Sequence, residues 1–307
     1  MISKAVFLLG LAIAASGLVS PPIALSLGLV FGFACPHPFE QSAKKLSRYL
    51  LQASVIGLGF GMNLHDVLRA GQSGFVYTVL GISFSLAVGM GLGIVLGMKR
   101  TPAFLISTGT AICGGSAIAA MVPVLEPEEH EVSVALGTVF LLNAVALFVF
   151  PLAGHLVHLS DGQFGLWAAL AIHDTSSVVG ATARYGATAL AIGTTIKLAR
   201  ALWIVPLSLV TAVTVKSKAR IQWPWFILLF CLAALLNTLL PSFTPTFGVL
   251  NHLGKIGLTV TLFLIGTGLN RQTLKRVGAR PLLQGLALWI IVGSGTLALI
   301  LFNWIGV

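Results

Sequence analysis

Four ionisable residues, His173, Asp174, Lys197 and Arg200, stand inside stretches that otherwise read as lipid-spanning helix. A charge at mid-bilayer depth costs several kcal/mol, about 3 on insertion scales, so it faces the protein interior and marks a pathway or relay. Lys197 and Arg200 lie three residues apart and share one helical face. Both sit too far from either end of their segment to snorkel. Asp174 is the only acid within the spans, so two cations against one carboxylate leave a positive excess suited to an anion. One bland alternative is a structural ion pair of Lys197 with Asp174.

Two breaker-rich stretches flank these charges. The first, STGTAICGGSAIAAMVPVL, places Thr108, Gly109, Thr110, Cys113, Gly114, Gly115 and Ser116 mid-segment, and the Gly-Gly step predicts a break. Freed backbone groups in hydrocarbon need partners, so such a break lines a cavity or is buried. A half-helix starting near Ser116 would aim its N–H groups at that cavity as an anion seat. Alternatively, the small residues serve close helix packing. The second, ALAIHDTSSVVGATA, pairs His173 and Asp174 with Thr175, Ser176 and Ser177, again a break with an N-cap. Asp174 is then a cap, or a proton or cation site, or both. His173 is a tuning group beside it, or a packed histidine.

The elements that position these residues follow from composition. Of 307 residues, 57% are hydrophobic and 8% charged, and mean hydropathy is +0.99. A soluble domain carries about 25% charged residues, so this is an all-α polytopic membrane protein. Eleven apolar segments are expected at 4–19, 22–36, 46–63, 74–97, 103–123, 131–156, 163–183, 187–214, 224–240, 252–270 and 283–305. The first, after Lys4, lacks an A-x-A cleavage site and reads as a retained span. With no hydrophilic stretch long enough for a second domain, residues 1–307 read as a single transmembrane domain, interrupted near 103–123 and 163–183.

If all eleven segments cross from a cytoplasmic N-terminus, the inside loops collect Lys4, Lys44, Lys45, Arg48, Lys99, Arg100, Lys216, Lys218, Arg220, Arg271, Lys275, Arg276 and Arg280. The outside receives only Arg69, Arg184 and Lys255, a positive-inside bias that puts the C-terminus in the periplasm. The acidic loop Glu126, Glu128, Glu129 and Glu131 then faces outside. The net charge of +10 is a topology signal, not a nucleic-acid footprint. Cys35, Cys113 and Cys231, an odd and unclustered set, form neither a disulfide framework nor a metal site. No cofactor is implied.

Positions 51–71 overlie 258–278 without a gap, matching Leu51/Leu258, Gly59/Gly266, Gly61/Gly268, Asn63/Asn270, Arg69/Arg276 and Gly71/Gly278. These are spans three and ten, so the copies are inverted, a signature of secondary transporters. A second echo links 111–120 to 171–180, each followed by a Gly-Thr step, in spans that should be parallel. Gly89, Gly93 and Gly97 form a small-residue stripe for helix packing. Asn63 and Asn270 line a site or cap their spans.

At GTAICGGSAIAA, AIHDTSSVVGATA and TTIKLARALWIVP the chain resembles the sulfate exporter family, the YeiH-like bacterial inner-membrane proteins. That family is similar to the cation/proton antiporter and bile-acid symporter superfamily. The resemblance implies a scaffold domain, a core with interrupted helices, elevator-like alternating access and commonly a homodimer. One Asp with two cations departs from the paired acids of sodium/proton exchangers. The reading is a secondary transporter of a small, sulfate-like anion, coupled to a proton or cation. Its substrate site is Cys113, Gly114, Gly115, Ser116, Thr175, Ser176, Ser177, Lys197 and Arg200, with Asp174 and His173 coupling. The rivals are a cation/proton antiporter with Lys197 clamping Asp174, and, more remotely, an intramembrane enzyme using Cys113 or His173 with Asp174.

Overall fold

A computed structural model describes residues 2–217, 225–269 and 278–306. The described residues form helices joined by short turns, with no strand among them. In chain order these are α1 (Ile2–Ala15), α2 (Pro21–Ala34), α3 (Glu40–Gly59), α4 (Leu64–Val95), α5 (Arg100–Ala111), α6 (Gly115–Leu125) and α7 (Glu129–Leu156). They continue with α8 (Asp161–Ala171), α9 (Thr175–Tyr185), α10 (Ala187–Ala201), α11 (Ile204–Thr214), α12 (Trp225–Leu239), α13 (Thr244–Gly268) and α14 (Ala279–Leu301). Among the described residues, five stretches are long and apolar enough to cross a membrane: Tyr77–Val95, His130–Leu156, Ala187–Thr214, Pro241–Gly268 and Ala279–Leu301. Other apolar helices are shorter.

The chain divides into two compact units, residues 1–69 with 225–271, and residues 70–224 with 272–307. In the first, α3 and α13 pack closely. A Cβ on Gly57 would lie 3.0 Å from Gly254 Cα, one on Gly257 would meet Ser54 Oγ, and Asn251 donates to Leu58 O at 3.1 Å. Residue numbers thus rise along one helix as they fall along the other, so the two repeat copies run antiparallel. Of their matched glycines, Gly59 and Gly266 play matched parts, whereas Gly61 is crowded by Asn251 and Gly268 is open. A Cβ on Gly59 would sit 2.6 Å from Phe230 O of α12, and one on Gly266 2.6 Å from Leu25 O of α2. Asn63 caps the following turn, accepting from His65 N at 2.8 Å. Asn270 and Arg276 lie outside the described residues.

In the second unit the 103–123 and 163–183 segments are not continuous helices. The break at 112–114 lets α6 turn back along α5, so that Lys99 and Glu128 pair at 3.7 Å. A continuous crossing over that stretch would separate its ends by about 39 Å at 1.5 Å per residue. The break at 172–174 likewise lets α9 return along α8. There Tyr185 Oη donates to Leu159 O at 2.8 Å, and its ring stacks on Phe164 with centroids 3.7 Å apart. Two helical hairpins therefore stand where two continuous helices were expected.

Between them α7 runs as one helix of about 42 Å. Glu128, beside the base of the first hairpin, caps its start in a capping box. At its other end His155 stacks on Tyr185 at the base of the second, centroids 4.3 Å apart. The hairpins accordingly enter from opposite ends of α7 and meet midway. The 111–120 and 171–180 echo is thus inverted too, not parallel as its place in an eleven-crossing scheme requires.

The 187–214 segment also breaks, at Leu202–Trp203, with α10 packed on α8 and α9, and α11 on α6. Only part of the expected Gly stripe packs. Cβ atoms on Gly89 and Gly93 would strike Ser107 and Ala103 of α5, whereas Gly97, at φ +63°, turns the chain after α4.

Candidate functional site

The two hairpin tips fall at corresponding positions of the echo, Ile112-Cys113-Gly114 and Ile172-His173-Asp174, of which only the isoleucines are identical, and they touch at their last residues. Gly114 has φ +67° and ψ −127°, and a Cβ there would lie 2.7 Å from Asp174 Cβ. Only glycine allows both that backbone and that approach.

Asp174 caps α9. Its Oδ1 accepts from Ser177 N at 2.6 Å and from Ser176 Oγ at 2.9 Å. Its Oδ2 accepts from Asn143 Nδ2 at 2.9 Å, and Asn143 Oδ1 accepts from His173 N at 3.2 Å. Asn143 stands at the midpoint of α7 and is 2% exposed. Sequence reasoning missed it, although a lone amide in the middle of the apolar 131–156 segment was a usable signal, since a buried amide must be hydrogen-bonded.

Neither cation pairs with Asp174, so the Lys197–Asp174 ion pair raised as an alternative does not form, and both cations meet carbonyls at the helix breaks instead. Lys197 Nζ donates to Ile172 O at 2.6 Å and to Ala169 O at 3.4 Å. Arg200 donates through Nε to Ala111 O, through Nη1 to Leu170 O and Ala169 O, and through Nη2 to Thr110 O. Both heads therefore seat on the C-terminal carbonyls of α5 and α8, and Arg200 binds the two hairpins together. Lys197 is fully buried and Arg200 is 1% exposed.

His173 is 1% exposed, and neither ring nitrogen has a partner. The Thr108 and Thr110 hydroxyls are similarly buried and unpartnered. Cys113 is a buried free thiol. Thr175, Ser176 and Ser177 are buried in the first turn of α9, whereas Ser116, in the first turn of α6, is exposed. The N-terminus of α6 has no side-chain cap. Each helix end carries about half a charge, so the two N-terminal and two C-terminal ends at the tips cancel. What remains is Lys197 and Arg200 against Asp174, a net positive crossing whose open N–H groups lie at Gly115 and Ser116. Among the described residues no cluster of three His, Cys, Asp or Glu could hold a metal ion.

The family described as Conserved hypothetical protein 698 matches residues 1–285. A UPF0324 membrane protein of Bacteroides thetaiotaomicron is 50% identical over 290 residues, covering 94% of this chain and 88% of its own. One of Bdellovibrio bacteriovorus is 51% identical over 294 residues, covering 94% and 90%. One of Geobacter sulfurreducens is 48% identical over 301 residues, covering 98% and 97%. No solved structure matches the chain. On this match and these identities, the chain belongs to the conserved hypothetical protein 698 family, the UPF0324 membrane proteins.

Proposed function

We propose that the protein is a secondary active carrier, not an enzyme, moving a small sulfate-like or other sulfur-containing anion across the bacterial inner membrane. The observation that carries this reading is the crossing itself, where two buried cations outnumber one carboxylate beside an uncapped helix start. The Gly115 and Ser116 N–H groups and the Ser116 hydroxyl donate to the anion, as a helix N-terminus does for sulfate or phosphate. Lys197 and Arg200 supply positive charge from behind the tips rather than by contact, because their donors are committed to carbonyls. Cys113 and Gly114 shape one tip, Thr175, Ser176 and Ser177 the other. Asp174, with the unpartnered His173 ring beside it, takes the coupling proton. The cation/proton antiporter reading draws on a Lys197–Asp174 clamp, which these hydrogen bonds do not supply.

Orientation follows the positive residues. Lys99, Arg100 and Arg280 gather at the end of the second unit where the first hairpin opens, with Arg280 Nη1 3.5 Å from Gly97 O. That end is cytoplasmic, as is the N-terminus, and α14 then leads the C-terminus to the periplasm. Alternating access moves the hairpin unit as an elevator-like core. The test is labelled-sulfate counterflow into proteoliposomes of the purified protein. Accumulation above protein-free vesicles supports the carrier. No counterflow of sulfate or thiosulfate by folded protein overturns it.

A further inference from the structure

A broken helix in hydrocarbon leaves carbonyls at its C-terminal end that must be satisfied. Carriers built from discontinuous helices commonly seat a coupling sodium ion on such ends. Here α5 and α8 end on five such carbonyls, of Thr110, Ala111, Ala169, Leu170 and Ile172, and each receives a hydrogen bond from Lys197 or Arg200. Both side chains come from one face of α10, three residues apart. The Lys197 ammonium lies between two carbonyl oxygens of a single half-helix end, as a bound monovalent cation would. The one carboxylate nearby, Asp174, is held as the cap of α9, accepting from Asn143, Ser176 and Ser177, and neither cation pairs with it.

We propose that Lys197 and Arg200 are tethered substitutes for a coupling metal cation, filling its carbonyl seats with fixed charge so that the protein works without sodium or potassium. This rests on the carrier reading above. It follows that removing the Lys197 ammonium opens a seat that a small free cation can enter.

The experiment is thermal unfolding of the purified Lys197→Ala protein in detergent, at equal ionic strength in the chlorides of choline, sodium, potassium and n-propylammonium. The wild type is expected to unfold at one temperature in all four. The variant is expected to drop by about 5 °C in choline, and to regain about half of that in sodium or n-propylammonium by mass action on the folded state. A variant equally unstable in every salt overturns the proposal. A second measurement does not depend on that variant folding: wild-type counterflow in choline medium free of sodium and potassium. Rates within about twofold of those in sodium support the substitution, and a loss of about tenfold or more overturns it. Absence of counterflow in every medium refutes the carrier reading alone, and the unfolding series then decides whether the seat exists.

Discussion

The sharpest test of the tip geometry is the exchange of Asp174 and Asn143. Asp174 receives three donors, and Asn143 is locked in orientation because its Oδ1 takes the His173 N–H while its Nδ2 serves Asp174. In Asp174→Asn the cap survives, since Asn and Asp are near equals at that position. The new amide nitrogen, however, meets the Nδ2 of Asn143, donor against donor. Flipping Asn143 only transfers the conflict to the His173 N–H. The loss is one charge-assisted hydrogen bond and one stranded buried donor, together about 3 kcal/mol. Asn143→Asp alone sets two carboxylates against each other and is expected to lose at least as much. In the double variant the carboxylate introduced at position 143 accepts from both the His173 N–H and the amide introduced at position 174. The pattern and the net charge are then restored. Because both single losses are then largely recovered, a double-mutant cycle is expected to return a favourable coupling of at least about 3 kcal/mol. The assay is denaturation of purified protein in one detergent, followed by tryptophan fluorescence. Additive effects, or an Asp174→Asn variant as stable as the wild type, would refute the assigned hydrogen bonds. Counterflow adds a functional reading: Asp174→Asn removes the coupling acid and should abolish it, whereas the swap, which keeps a carboxylate within hydrogen-bond distance of its old place, should recover part.

Topology can be checked by labelling single cysteines in a cysteine-free background with an impermeant thiol reagent. Lys99→Cys and Glu128→Cys should react from the same membrane face and Arg184→Cys from the other, whereas labelling of Lys99→Cys and Glu128→Cys from opposite faces restores a crossing. Gly114→Ala should lose about 2 kcal/mol or more through its backbone conformation alone, with a clash on Asp174 added. Gly115→Ala crowds the movable edge of Phe140 and touches Leu136 at an ordinary 3.5 Å, so equal melting losses for the two would count against the tip contact. His37 lies between α2 and α3, accepts from Phe39 N at Nδ1 and pairs with Thr267 Oγ1 at 3.0 Å. Burial lowers its pKa below the ordinary 6.5, with Lys44 adding to the shift and Glu40 opposing it. Its folded form binds a proton less readily than its unfolded form, so this stabilisation is full above pH 6.5 and is lost as pH falls through the lowered value. His37→Gln should flatten the acid side of the unfolding profile, and an unchanged profile would remove His37 from it.

The helix breaks and the buried ionisable residues beside them were legible in the sequence. Ionisable residues in apolar surroundings identify themselves, and the density of Gly, Thr and Ser located both breaks to within a residue or two. The antiparallel relation of α3 and α13 was readable too, because the two repeat copies fall in spans an odd number apart. The topology between the breaks was not. A half-helix of about 12 residues is about 18 Å long, near half the hydrocarbon thickness. After a break at mid-depth the chain can continue or turn back with the same composition and length. Counting basic loops could not separate the two, because two crossings fewer restore the same side for every cluster except the acidic 126–131 loop and the 157–160 turn. What decided the matter was the set of contacts at the tips: Arg200 holding both hairpin ends, Asn143 bridging His173 and Asp174, and Gly114 admitting Asp174. Residue types alone say which groups must be buried and paired, and that a cation beside a helix break can meet a freed carbonyl. Which carbonyls Lys197 and Arg200 take was decided only by the fold, since every residue carries one and no residue type announces it.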